Sequence, residues 1–148
     1  MSMSNAFETE VLELIFNNAA IANIGDGSGL QPSATAGSLY VSLHSADPGE
    51  AATQSTNEVA YTNYARQNVL RSTGWNAASG GATANAALLQ FPQSGATGAT
   101  LAAVSTGTTI SGATPVWHYG TLNSSITIGA SASITPQFLA GALTITES

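Results

Sequence analysis

Side-chain chemistry near neutral pH has few places to happen in these 148 residues, which hold two histidines, eight carboxylates and two arginines, with no lysine and no cysteine. A metal site needs convergent His, Cys, Asp or Glu ligands. His44 stands shortly before Asp47, and His118 lies between Trp117 and Tyr119. A site built from those three would require two strands to run side by side, and a histidine in an aromatic-rich strand is more often packed or exposed, so no metal is expected. Serines are abundant, but no G-x-S-x-G elbow is present to sharpen one into a nucleophile. Asp47, Glu50 and Glu58 fall in one loop region and Glu147 close to the last residue, which does not suit the two carboxylates that must flank a glycosidic bond. The run Gly25-Asp26-Gly27-Ser28-Gly29 follows a helix rather than a strand and lacks the lysine of a phosphate-binding loop. No catalytic, cofactor-binding or metal-binding residue is assigned, and the chain reads as a non-enzyme.

What remains is binding. Tyr40, Tyr61, Tyr64, Trp75, Trp117 and Tyr119 are explained more simply by core filling and interface anchoring than by sugar stacking. The two arginines, Arg66 and Arg71, stand out because cations are so scarce. At an interface a guanidinium pairs bidentately with a neighbour's carboxylate; the alternative for Arg66 and Arg71 is an intrachain pair with Asp47, Glu50 or Glu58. Expected contact residues are Tyr61, Tyr64, Arg66, Arg71 and the helix face around Phe7 and Val11.

Charged residues make up 7% of the chain and its net charge is -6, against a usual charged share of about 25%. Ser, Thr, Asn, Gln and Gly take the outward positions instead, and such side chains lose little rotamer entropy when a neighbour covers them. Phosphate-backbone binding needs several cations, so nucleic acid is not an expected partner. Neither a signal-peptide pattern nor a long apolar run is visible, which predicts a protein made in the cytoplasm and not inserted in a membrane.

These residues must be positioned by one helix and a series of short strands. Phe7, Val11, Leu14, Ile15, Asn18 and Ala22 recur at helical spacing, which predicts a helix over residues 5–23, with Asn5 capping it and Glu8 returning the bond. The segment from Ile24 to Gly29 stops it. Period-two alternation follows, with Leu39, Val41 and Leu43 as the inward residues of a half-buried strand, Ala46-Asp47-Pro48-Gly49 as a turn, and Glu50 to Asn57 as a surface loop. Further strands are expected within 66–71, 85–91, 99–104, 116–122, 125–128, 133–135 and 142–146. Seven or eight short strands separated by Gly, Pro and Ser predict a mainly β chain, an antiparallel β-sandwich of jelly-roll or Ig-like type with one N-terminal α-helix. The domain expectation is a helix and linker over 1–30 and a sandwich over 31–148, making a single structural domain.

The stretch Leu39-Tyr40-Val41-Ser42-Leu43-His44-Ser45-Ala46-Asp47-Pro48-Gly49-Glu50, followed by Glu58-Val59-Ala60-Tyr61 and Tyr64-Ala65-Arg66-Gln67, resembles small virion proteins of tailed bacteriophages, commonly labelled tail fibre proteins and similar to some capsid cement proteins. The segments 85–92, 120–122, 134–138 and 140–145 are similar to that family's closing strands, and the N-terminal helix to its opening. The resemblance implies a virion structural protein with no catalytic residues to carry over. The expected function is capsid decoration, in which a homo-oligomer, dimer or trimer, binds the major capsid protein and other virion proteins on the outer shell; the alternative is a tail fibre or baseplate component in host recognition.

Overall fold

The computed structural model describes residues 2–25 and 27–147; Asp26, part of the loop expected after the helix, lies outside them. The described residues are mainly β and antiparallel, with one N-terminal helix and no closed barrel among them, consistent with the expected β-sandwich class. Its elements are α1 (Asn5–Asn17), β1 (Ser38–His44), β2 (Gln67–Leu70), β3 (Ala82–Ala84), β4 (Leu89–Gln90), β5 (Ala99–Gly107), β6 (His118–Ile128), β7 (Gln137–Phe138) and β8 (Thr144–Thr146). They fall into two compact units: Met1–Ser38, Val69–Leu89 and Phe138–Ser148 form unit 1, and Leu39–Asn68 and Gln90–Gln137 form unit 2.

Unit 1 packs α1 on β3, which pairs antiparallel with β8 through Thr83 and Ile145. Glu8, Leu12 and Phe16 are the buried residues of the helix, and the Phe16 ring meets Trp75 edge-on at 4.6 Å. The expected face around Phe7 lies to one side of this stripe. At about 100° per residue, the apolar side chains from Leu14 round to Phe16 cover an arc of roughly 200°, and a contact with one surface buries only part of so wide an arc. The indole meets the half bearing Phe16, and Leu12 on the same side is buried as well. Val11 and Ile15 are left half-buried and Phe7 is 38% exposed.

The ends of α1 also depart from expectation. Ser4, not Asn5, is the N-cap, its hydroxyl accepting from the Phe7 amide, and Glu8 turns inward against Gly81 rather than closing a capping box. The helix stops at Asn17 because Asn18 takes the left-handed conformation, φ 55°, which asparagine tolerates better than most residues. The Asn18 amide is then locked to the Ser33 backbone by reciprocal bonds of 2.9 and 3.0 Å. Residues past it form a closed loop instead of another turn of helix, since Ile21 and Leu30 exchange backbone bonds. Gly29 permits that closure: a Cβ there would sit 2.1 Å from the Ile21 carbonyl.

The last turn of α1 contains no basic residue, yet three of its carbonyls are covered from elsewhere. Arg71 donates from Nε to Ile15 O at 2.6 Å, from Nη2 to Leu14 O at 2.5 Å and from Nη1 to Ala36 O at 3.0 Å, and the Ser72 amide takes Phe16 O. A guanidinium thus sits at the negative end of the helix dipole. Asn85, also buried, ties the rest of the unit together by donating to Ala87 O and Leu139 O and accepting from the Leu143 amide.

Unit 2 is built on antiparallel β1, β5 and β6 in a sheet of order β2-β1-β5-β6, while β4 and β7 pair with each other. Tyr40 faces Gly107 and His44 faces Ala103. The expected half-buried β1 is buried on both faces from Val41 onward, as a strand flanked on both sides and covered by the Gln54 side chain must be. The two strands expected in 116–122 and 125–128 are one strand, β6, carrying an irregularity. The strand expected at 133–135 is not formed, that at 85–91 shrinks to β4, and β3 appears in what reads as turn sequence. Ala, Ser and Thr carry too little patterning to mark three-residue strands.

Replacing Arg71 with Met should lower stability by about 2–4 kcal/mol, since charged hydrogen bonds and a favourable helix-end charge are lost together. Lys at the same position should recover only part of this. Urea denaturation followed by far-UV circular dichroism measures both, and a neutral Arg71→Met would refute the assignment.

Candidate functional site

Tyr61, Tyr64 and Arg66 come together in unit 2, whereas Phe7, Val11 and Arg71 belong to unit 1. The centre of the unit 2 group is Arg66, whose side chain is 2% exposed against 17% for its partner Glu58. The pair is bidentate, with Nε to Oε1 and Nη2 to Oε2 both at 2.7 Å. The remaining donors reach Thr109 O at 3.1 Å, Gly112 O at 2.9 Å, Ser55 Oγ at 3.3 Å and Gln54 Oε1 at 3.4 Å. One side chain therefore fastens the 54–58 turn to the 109–112 loop. Of the intrachain partners considered for it, Glu58 is the one used, and the Glu58 hydrogen bond raises the Arg66 pKa above its ordinary value.

The network continues inward. Tyr64 donates to Glu58 Oε1 and accepts from the Leu43 amide, both at 3.0 Å, and burial pushes its pKa up. Gln54 donates to Ser42 Oγ at 2.8 Å and Tyr40 O at 3.1 Å, while its own oxygen also accepts from Thr114 Oγ1. Although the 50–57 segment reads as a surface loop, Gln54 is fully buried in it. Gly107 makes room for that side chain, since a Cβ at this position would lie 2.2 Å from Gln54 Cδ. Tyr61 is buried, donates to Pro92 O at 2.9 Å, and has its pKa pushed up to about 12 by desolvation. The Tyr64 ring stacks near Phe91 and meets Tyr61 edge-on.

His44 and Ser105 form the one arrangement here that looks like a catalytic pair. His44 Nε2 lies 2.8 Å from Ser105 Oγ, and Nδ1 lies 2.7 Å from Thr56 O. Nδ1 must carry the proton that meets a carbonyl, leaving Nε2 to accept from the serine. Both residues are buried, so no substrate carbonyl can reach the hydroxyl, and the pair acts as a hydrogen-bonded core contact. His118 instead lies against Thr106 Oγ1 at 3.2 Å, and among the described residues no group of three or more His, Asp or Glu is placed to hold a metal.

Above the Arg66–Glu58 pair lies an open groove of about 720 Å³, lined in part by Tyr61, Asn63, Tyr64 and Ile110. Its charged floor is already neutralised by internal bonds. Such a surface offers apolar and amide contacts and no free cation.

The family model described as podophage GP4 fiber I protein gp80 matches residues 2–146. The chain belongs to this family. As a Gp80-family chain it is a phage virion structural protein of the fibre type, as the resemblance of Leu39–Glu50 and Tyr64–Gln67 implies. Among curated proteins none matches it. No helix among the described residues is long and apolar enough to cross a membrane.

Two measurements test the network. Arg66→Met alone should cost about 3–5 kcal/mol, because it strands the Glu58 carboxylate, while a cycle with Glu58→Leu should show a coupling of about 0.5–3 kcal/mol; strict additivity would remove the pair from its central place. The second concerns pH. Burial lowers the His44 pKa below its ordinary 6.5, so the unfolded chain binds this proton more readily than the folded one. The His44 contribution is complete above about 6.5 and lost as pH falls from there towards the lowered folded value. Thermal midpoints should fall across that window, and His44→Asn should flatten the slope; an unchanged slope would contradict the assignment.

Proposed function

We propose that this virion protein works by binding alone, as a module seated on the exterior of the phage particle and held there by protein–protein contacts. The observation that carries this reading is how the side chains are divided. The groups able to do chemistry, Arg66 with Glu58 and His44 with Ser105, are spent on internal bonds, whereas Phe7, Leu30, Ile110, Trp117 and Leu139 are large, apolar and exposed. Covering such side chains supplies association energy at roughly 25 cal/mol per Å² of apolar surface, before the costs of ordering.

On the capsid this module acts as a decoration or cement protein, a homo-oligomer bridging neighbouring copies of the major capsid protein, with many weak contacts reinforced by lattice symmetry. A second reading, a tail fibre component in host recognition, is favoured by the family's description as a fibre protein. Under that reading the groove beside Tyr64 and Ile110 faces the host.

Copy number separates the two. Densitometry of purified virions should find the chain nearly stoichiometric with the major capsid protein if it decorates the shell, and at a small multiple of the tail symmetry if it belongs to a fibre. Virions lacking it altogether would defeat both.

A further inference from the structure

The sheet of unit 2 ends on β6, and among the described residues no further strand pairs with it. His118–Thr121 run in register with Thr106–Ala103. Beyond them Thr121 faces Ala103 while Ile126 faces Leu101, so Leu122–Ser125 are set against Ala102 alone. This bulge interrupts the outer edge and leaves His118–Thr121 as its regular segment before the break. Natural edges are guarded by lysine, proline, inward-pointing charge or a bulge; β6 has none of the first three, and its bulge lies beyond His118–Thr121, which it leaves open. Apart from β5, no described segment makes a backbone bond to Tyr119–Thr127.

Trp117 is 49% and Tyr119 38% exposed beside this edge. The turn after β1 is fastened alongside: the Val116 amide donates to Ala52 O at 3.3 Å, Thr53 bridges Pro115, and the Gln54 amide donates to Thr114 O at 2.7 Å. Asp47 and Glu50, both exposed on that turn, lie close enough to the Tyr119 phenol to help desolvation raise its pKa.

We propose that His118–Thr121 receives an extended, lysine-bearing strand of a different virion protein, whose main chain pairs with the open edge and whose ammonium groups meet Asp47, Glu50 and the faces of Trp117 and Tyr119. The proposal rests on the reading of the chain as an assembled virion component. Strand addition supplies main-chain bonds to such an edge, and cations over aromatic rings and beside carboxylates add register and encounter rate. Charge selects the occupant. A second copy has no lysine, its Arg66 and Arg71 are both engaged internally, and pairing His118–Thr121 with itself would bring two Asp47 and Glu50 sets together.

Intact particles provide the test. A carbodiimide joins carboxylates to amines without a spacer, and because this chain has no lysine, an Asp47 or Glu50 crosslink to a lysine identifies a different protein. Such a crosslink is expected, together with slower hydrogen exchange at His118–Thr121 in the particle than in the free chain. Asp47→Asn with Glu50→Gln should leave the particle about tenfold faster at low ionic strength, the difference closing at high salt; Glu50→Gln alone, which spares the Asp47 bond to the Gly49 amide, should show part of the effect. Equal exchange in both states, crosslinks from other carboxylates only, or unchanged release would overturn the docking proposal. Absence of the chain from particles would defeat instead the functional reading on which it rests.

Discussion

A buried guanidinium must find a partner for its charge and acceptors for its donors, and in unit 2 that requirement organises everything around it. Removing a charge from water costs several kcal/mol unless geometry repays it. Arg66 is repaid by a bidentate carboxylate, two backbone carbonyls and two polar side chains. Each of those acceptors belongs to a loop, which the guanidinium holds together with the loop's own backbone bonds. Arg66 joins the 54–58 turn to the 109–112 loop, and through Tyr64 and Gln54 the same network reaches the backbone of β1. Partial satisfaction of such a network would be worse than an apolar core, so its completeness is what makes the arrangement stable.

Unit 1 solves a related problem with the other cation. A short helix with no basic residue in its last turn leaves carbonyls and a negative dipole end unanswered. Arg71 answers them from a distant point in the chain. A molecule with almost no positive charge thus commits both of its guanidinium groups to holding loops and a helix end in place, and its outer surface is left to acids, hydroxyls and apolar side chains. That division fits a protein of the Gp80 family, whose work lies in the particle.

Much of this was legible in the residues. The alternation Leu39, Val41, Leu43 gives β1, the turn at Pro48-Gly49 follows it, and the spacing of apolar residues after Asn5 gives a helix at the right place. The motif blocks 39–50, 58–61 and 64–67 contain His44, Glu58, Tyr61, Tyr64 and Arg66, so the residues that mark the family are largely those of the polar core. What local pattern could not convey was direction. An apolar arc too wide for one contact does not say which half is buried, and Trp75 decides it from elsewhere in the chain. A polar segment reads as exposed, so Gln54 looked like surface until Arg66, Ser42 and Thr114 were brought around it; the one local hint was Gly107, where a side chain would collide. Strands of two or three Ala, Ser and Thr residues carry no period to detect.

The interrupted edge of β6 has a bearing on how copies of the chain can pair with one another. A long, uncharged, hydroxyl-rich strand lying straight along a sheet margin is a template on which identical chains stack without limit. Setting Leu122–Ser125 against a single residue twists the margin out of line partway along. Stacking by this route would stall after a few residues. An offset of this kind limits edge-to-edge pairing through backbone geometry, in a sequence that has no lysine to place there.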